Sequence, residues 1–517
     1  MKIRRTENAK RNIAVGTVNK IITIFLPFIV RTVTIKTIGV DYLGLNSLFA
    51  SILQVLNLTE LGFSSAIVYS MYRPIAENDN KTLCALYNYF KKVYRFIGIV
   101  IFVIGMILTP FLPFLINGNP PAGINLYVVY WIYLLNTSIT YMLCAYKSSI
   151  PNAMQRADIV SGVSMISMGG MYVGQILVLV VFRNYYAYII LMPIFTIVNN
   201  LILSFVVDRL FPNIRCCGKI SKEMKAEIKT KLKGLMINKI CQITRNSIDS
   251  ICVSAFLGLK VTAMYNNYYY IINALIGFST IIIGSMTAGV GNSTIMESRA
   301  KNYSDMRKIN FIYMWIGGWA TICLLCLYQP FMEIWMGADY LFPYGVAVAF
   351  SIYFYALKMG DIRGLYSDAT GLWWENRYRA IAESLTNIIL NIVLGKLFGV
   401  YGIIIATLVS LLIINFGMGS QIVFKYYFKN RKLKEYFFVY FQYALTSCLV
   451  ALFTIYVCNL INGNVWLTLV VRIVICCFIP NLLYLIIYCK TKRYKEAMSW
   501  FLEKVGLKNK LQFLIKF

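Results

Sequence analysis

Fourteen apolar stretches, near residues 12–35, 45–70, 93–116, 124–146, 159–182, 185–207, 236–257, 265–292, 309–331, 340–358, 378–397, 401–424, 436–458 and 465–488, occupy most of this chain. Most approach or exceed the ~20 residues that a helix needs to cross a ~30 Å hydrocarbon core. Inside lipid the backbone must satisfy its own hydrogen bonds, which leaves helices or closed barrels, and no strand-like alternation competes. The expected fold class is therefore an all-α membrane protein of about 14 transmembrane helices.

The 50 Lys and Arg residues fall almost entirely into every second gap, counted from the amino-terminal tail to the carboxyl tail. The opposite gaps hold only Lys36, Arg183, Lys260 and Lys396. Because positively charged short loops stay on the cytoplasmic side, both termini are expected inside, in a bacterial cytoplasmic membrane crossed many times. The opening MKIRRTENAKR imitates a secretory leader, but the apolar run after it is too long and no small-x-small cleavage site follows. A net charge of +29 suggests nucleic acid; attraction of the cytoplasmic loops to anionic lipid accounts for it more simply, so the bilayer is the expected partner and nucleic acid is not.

Several chemistries are excluded. The chain has no histidine, which removes Ser-His and Cys-His catalysis and histidine-ligated zinc. Gly218-Lys219 and Gly395-Lys396 are followed by Ile and Leu, so no phosphate-binding P-loop is present and transport would be secondary. The 13 cysteines, including the CxxC spacing of Cys323 and Cys326, lie mostly in apolar helices, where free cysteine packs as a small hydrophobe. No cofactor, metal or enzymatic activity is expected.

An internal echo organises the helices. Gly39-Val40-Asp41-Tyr42-Leu43-Gly44-Leu45 returns 219 residues later as Gly258-Leu259-Lys260-Val261-Thr262-Ala263-Met264, and Lys20 returns as Lys239 at the same offset. Leu61-Gly62-Phe63-Ser64-Ser65 resembles Ile276-Gly277-Phe278-Ser279-Thr280. Helices 1–6 and 7–12 would then be parallel copies, since an even number of spans preserves orientation. The expected domains are an N-lobe over 1–210, a basic cytoplasmic linker over 211–235, a C-lobe over 236–430, two added helices over 431–490 and a basic cytoplasmic tail over 491–517.

Around these segments the chain resembles a known family. Gly39 to Leu45, Glu60-Leu61-Gly62-Phe63-Ser64-Ser65-Ala66, Tyr72-Arg73-Pro74-Ile75-Ala76-Glu77-Asn78-Asp79, Asp249 to Gly258, Met264 to Tyr268, Asp368 to Trp374 and Phe398 to Gly402 are similar to polysaccharide and O-antigen flippases of the multidrug/oligosaccharidyl-lipid/polysaccharide (MOP) exporter superfamily. The resemblance implies two pseudo-symmetric six-helix lobes in a V, plus two C-terminal helices, rocking between inward-open and outward-open states. It also implies a polyprenyl-diphosphate-linked glycan as cargo, coupling to a proton or sodium ion, and a polysaccharide polymerase and glycosyltransferases as companions in O-antigen or capsule synthesis.

A charged diphosphate head cannot enter hydrocarbon uncompensated, so charge within the spans marks the candidate site. Five cations are expected inside helices: Lys20, Arg31, Lys239, Arg245 and Arg472. Lys20 and Arg31 stand on nearly one face of helix 1, about three turns apart. Arg31 is the favoured phosphate ligand because a guanidinium grips phosphate bidentately; Lys20 and Lys239 also suit snorkelling to the surface. Arg245 and Asp249, at i and i+4, can pair and form a switch. Gln54, Asn57, Glu60 and Ser64 on helix 2, and Glu383, Asn387 and Asn391 on helix 11, form polar stripes that face a cavity or a partner helix. Substrate contacts are accordingly assigned to Arg31, Lys20, Lys239, Arg245, Gln54, Asn57, Asn387 and Asn391, and ion coupling to Asp249, Glu60 and Glu383. Tyr265, Asn266, Asn267, Tyr268, Tyr269 and Tyr270 are expected either as further sugar contacts or, more simply for the tyrosines, as an interfacial belt.

The alternatives are a drug or metabolite exporter of the same superfamily and an integral-membrane polysaccharide polymerase or glycosyltransferase. Gaps on the charge-poor side as short as Asn117 to Gly123 and Asn459 to Asn464 leave little room for the external catalytic loop of the last.

Overall fold

The computed structural model describes residues 5–505 except 58–66, 69, 72, 73, 76, 118, 119, 122, 155, 430–432 and 462. No strand occurs among the described residues. The principal helices are α1 (Arg5–Thr37), α2 (Val40–Leu56), α3 (Asn80–Leu108), α4 (Leu126–Met142), α5 (Ala157–Val181), α6 (Tyr185–Leu210), α7 (Lys222–Met296), α8 (Arg299–Met336), α9 (Tyr344–Ala369), α10 (Arg377–Val409), α11 (Leu433–Asn459), α12 (Val465–Tyr488) and α13 (Lys492–Val505).

Ten described helical segments are long and apolar enough to cross a membrane, and an eleventh arises if Leu126–Met142 and Ala145–Ala153, bent by 52°, count as one. Two of the ten, Ile240–Gly284 and Arg377–Phe428, run 45 and 52 residues, about twice what one crossing needs. Each contains a residue that breaks it into two limbs: Gly258 at φ 85 and ψ 175, and Gly399 at φ 57 and ψ −133.

Gly39, which the 219-residue echo pairs with Gly258, sits between α1 and α2 at φ 110 and ψ 167. Both glycines occupy backbone space that is nearly closed to other residues, so the two echoed segments make the same kind of turn. A Cβ on Gly258 would also meet the Asn117 carbonyl oxygen at 2.9 Å.

The chain divides into two compact units, residues 1–266 and 267–517. In the first, α1 packs along α5, α5 against α6, and α4 against both α3 and α6. Glycines set the approach of α3 to α4: a Cβ on Gly105 would lie 2.3 Å from Leu134 Cδ1, and one on Gly98 2.8 Å from Met142 Cγ. Helices in lipid associate largely through such close packing. At the start of α3, Asp79 caps the helix by accepting from the Thr82 amide at 3.0 Å. Hydrogen bonds from the Thr82 hydroxyl and amide hold its carboxyl below the usual value.

In the second unit α8 is central, packing against α9, α11, α12 and α13. Gly318 lets α12 close in, since a Cβ there would meet the Tyr484 hydroxyl at 2.4 Å.

Two expectations change, for the helix over 340–358 and for the tyrosines, and two basic segments gain detail. The helix placed over 340–358 runs from Tyr344 to Ala369, carrying Lys358, Asp361 and Arg363 inside it rather than in a loop. These charges are accommodated by pairing: Lys358 Nζ lies 2.7 Å from Asp361 Oδ2, and the Tyr313 hydroxyl donates to the same carboxylate oxygen. The basic linker is helical from Lys222 and continues into the spanning part of α7. The carboxyl tail contains α13, whose Tyr494 and Ala497 are buried in the core around α8. Tyr265 and Tyr268 are buried rather than belt-like, because their hydroxyls find partners within the protein, on Asp249 Oδ2 at 3.3 Å and Gln329 Oε1 at 2.8 Å.

Candidate functional site

A cavity of about 420 Å³, with polar side chains set among apolar ones such as Leu43, Met168, Met171, Met192 and Phe195, lies within the first unit. Its walls come from α1 (Pro27, Val30, Arg31), α2 (Asn46, Ser47), α4 (Tyr133, Asn136, Thr140), α5 (Ser164, Ser167, Gln175) and α6 (Tyr188, Thr196, Asn199, Asn200). Pro27, Val30 and Arg31 share a face of α1 through their i, i+3 and i+4 spacing. Arg31, half-buried, is the one cation among the residues lining it.

Asn46 organises one wall. Its Oδ1 accepts from the hydroxyls of both Tyr133 and Tyr185, while its amide donates to the Tyr188 hydroxyl at 3.4 Å. Tyr42 and Tyr185 rings lie 5.0 Å apart and brace this cluster. On another wall the Thr196 hydroxyl donates to Asn136 Oδ1 at 2.6 Å, and Asn200 donates to the Thr196 carbonyl at 2.9 Å.

Three further lining atoms, Ser47 Oγ, Ser167 Oγ and Asn199 Oδ1, are buried without a protein hydrogen-bond partner. Buried polar atoms are almost always satisfied, so these three mark unmet hydrogen-bonding capacity in the side chains around the cavity. A guanidinium with hydroxyls and amides around it suits an anion carrying polar substituents.

The other expected residues are dispersed. Lys20 is exposed on α1 and is not among the residues lining the cavity. Gln54 is exposed near the end of α2, and Asn57, just beyond it, is half-buried with an unpartnered Oδ1. Glu60 and the side chain of Lys239 lie outside the described residues. Arg245 and Asp249 are both buried, at 7% and 5% exposure.

In the second unit Glu383 is buried on α10, ion-paired with Arg379, and both its carboxylate oxygens accept from Asn415 Nδ2, at 2.8 and 3.0 Å. Asn387 and Asn391 are fully buried. The Asn387 amide donates to Thr407 Oγ1 at 2.9 Å and that of Asn391 to Asn387 Oδ1 at 3.2 Å, tying the two limbs of α10 together.

Sequence reading missed Arg363, which is 5% exposed and donates to Asn415 Oδ1 at 2.8 Å. Asn415 thus links it to Glu383, from within a π-helical stretch, Ser410–Met418, a distortion frequent at functional positions. The signal was present: Lys358 and Asp361 at i, i+3, and Arg379 and Glu383 at i, i+4, are the spacings at which opposite charges pair on a helix. Lys147 was likewise read as a loop cation. It is buried, ion-paired with Asp208 and donates to Ser204 Oγ at 2.7 Å.

No sequence-family model matches the chain, and no curated protein matches it. Solved structures do. The lipid II flippase MurJ, in an inward closed conformation, aligns with a TM-score of 0.63 at 16% identity, over 92% of this chain and 98% of that one. The chain shares the fold of that flippase. An inward-facing multidrug resistance MATE family transporter of the MOP superfamily aligns with a TM-score of 0.59 at 12% identity, over 77% of this chain and 93% of the other. The MATE transporter VcmN of Vibrio cholerae aligns at 0.54 and 15% identity, over 81% and 97%. The protein is a multi-pass membrane protein that shares the fold of these solved structures.

Proposed function

We propose that this protein flips a polyprenyl-diphosphate-linked oligosaccharide from the cytoplasmic to the outer leaflet of the bacterial cytoplasmic membrane, by ion-coupled alternating access, for O-antigen, capsule or similar surface polysaccharide synthesis. The observation that carries this reading is Arg31 on the wall of a cavity where hydroxyls and amides are set among apolar side chains such as Leu43, Met168, Met192 and Phe195. The cation compensates the diphosphate, which could not otherwise leave water for a low-dielectric interior. The hydroxyls and amides suit the attached sugar. Around 420 Å³ falls within the range of small-ligand sites and accommodates a diphosphate with its first sugar rather than a whole oligosaccharide.

Asp249 and Glu383, each a buried carboxylate within a spanning helix, are the coupling candidates, together with Glu60. Both termini are placed in the cytoplasm by the charge alternation.

A second reading, export of a drug or metabolite, is favoured by the alignment with MATE transporters. The share of the chain covered supports the flippase reading instead: the MurJ alignment takes in 92% of the chain, against 77% and 81% for the two MATE proteins.

Deletion of the gene should trap the lipid-linked glycan on the cytoplasmic leaflet, where probes added to intact spheroplasts do not reach it. Arg31→Ala should reproduce that block at normal protein abundance, and Arg31→Lys should restore part of the flux, since lysine keeps the charge but not the bidentate geometry. Normal surface glycan with Arg31→Ala would remove the assignment.

A further inference from the structure

We propose that Cys326, Cys458 and Cys476 form a binding site for one thiophilic divalent ion of the zinc class. The three come from α8, α11 and α12, far apart in sequence, yet their Sγ atoms all lie within 4.8 Å of one another. Sulfurs held at the usual metal–sulfur distance of about 2.3 Å stand ~3.8 Å apart in tetrahedral and ~4.0 Å apart in trigonal geometry. Closing from 4.8 Å asks each sulfur to move by less than ~1 Å, which side-chain rotation supplies without shifting a helix.

The surroundings select the ion. The three cysteines are between 1% and 3% exposed and sit in an apolar cluster with Ile322, Val450, Ala451 and Tyr484. In such a setting an uncompensated charge is costly. Arg472, one turn before Cys476 on α12, donates to the Cys326 carbonyl oxygen at 3.3 Å, and its Nε is buried without a hydrogen-bond partner.

Binding converts three thiols to thiolates and releases three protons to solvent, because the thiolate is the ligand form. A divalent ion with three thiolates carries one net negative charge, and the Arg472 guanidinium cancels it. A monovalent ion such as Cu(I) would leave the set negative even with Arg472. Soft thiolates favour zinc-class ions over Mg²⁺ or Ca²⁺. The ion would bind α11 and α12 to α8, the central helix of the second unit.

The test uses the full-length, tag-free protein, reduced and held in nanodiscs, titrated with Cd²⁺ as a spectroscopic zinc mimic. One ion per chain should bind, with a sulfur-to-cadmium charge-transfer band and a rise in Tm. Both should vanish in the Cys326→Ala, Cys458→Ala, Cys476→Ala triple variant and survive Cys323→Ala. Arg472→Gln should weaken binding at least tenfold while leaving the band's shape unchanged. Since the triple variant could fail to fold, Cys458→Ala alone should also abolish the band while its unliganded Tm stays near the wild-type value. Absence of the band in the wild-type protein, or its persistence in Cys458→Ala, would overturn the proposal.

Discussion

Replacing Asn46 by leucine isolates the polar cluster on the cavity wall. Asn46 is 8% exposed and receives the hydroxyls of Tyr133 and Tyr185, each only 4% exposed. Leucine is similar in bulk but accepts nothing, so both hydroxyls lose the acceptor they share. A buried hydroxyl left unsatisfied costs ~1–3 kcal/mol in soluble proteins, whereas hydrogen bonds between membrane helices average nearer ~0.6 kcal/mol, with a maximum of ~1.7. Two lost partners therefore predict about 1–4 kcal/mol. Thermal unfolding of the detergent-solubilised protein, read as an apparent Tm against wild type, measures it. The cause is separable from any effect of leucine's shape: adding Tyr133→Phe and Tyr185→Phe removes the two hydroxyls that lose their acceptor, leaving only the long contact from Asn46 to the Tyr188 hydroxyl unreplaced, and replacing both partners of a hydrogen bond by apolar groups is close to neutral. The triple variant should recover most of the lost stability. If Asn46→Leu alone leaves Tm unchanged, or if the two phenylalanines lower it further, the cluster does not hold the wall in the way described.

Glu383→Ala should destabilise the protein by ~3–5 kcal/mol, the range for breaking a buried ion pair, because it strands Arg379 and the Asn415 amide together; a shift in Tm checks it, and a neutral result would show that the pair is solvated. Gly105→Val should cost about 1–3 kcal/mol by overpacking, because the Leu134 methyl already lies 2.3 Å from where a Cβ would stand; protease resistance in membranes provides the readout. Asp361→Asn should lower Tm, since it leaves Lys358, 4% exposed, without its carboxylate, and Lys358→Met in the same chain should restore it.

Much of the fold was legible because the bilayer imposes a coarse rule. Apolar length marks a helix and Lys/Arg marks a gap, and the 219-residue echo pairs Gly39 with Gly258. The rule failed where a helix carries charges that cancel. The run containing Lys358, Asp361 and Arg363 read as a loop, yet α9 continues through it because a paired cation and carboxylate enter a packed interior at far lower cost than either alone. Hydropathy sums residues singly and does not see pairing.

Arg31 was legible as an intraspan cation on helix 1. Its setting was not: Asn46, Asn136, Thr196 and Gln175 come from four other helices, and nothing in their spacing announces that they meet. The same holds for Asn387, whose polar stripe pointed equally to a cavity or a partner helix; its hydrogen bond to Thr407 on the other limb of α10 is an outcome of tertiary packing alone. The cysteines at 326, 458 and 476 converge from three helices, and the CxxC spacing of Cys323 and Cys326 drew attention to a pair of which only one takes part.

Movement of a lipid-linked diphosphate through the purified protein is the most direct measure of the proposed function. Proteoliposomes containing a fluorescent polyprenyl-diphosphate oligosaccharide, with a membrane-impermeant quencher outside and an imposed proton or sodium gradient, report how fast label changes leaflet. Wild-type protein should accelerate the exchange well above protein-free vesicles, and Arg31→Ala, with its cation removed from the cavity, should fall back to that baseline. Equal exchange by wild-type protein and Arg31→Ala, or no exchange beyond empty vesicles under either gradient, would contradict it.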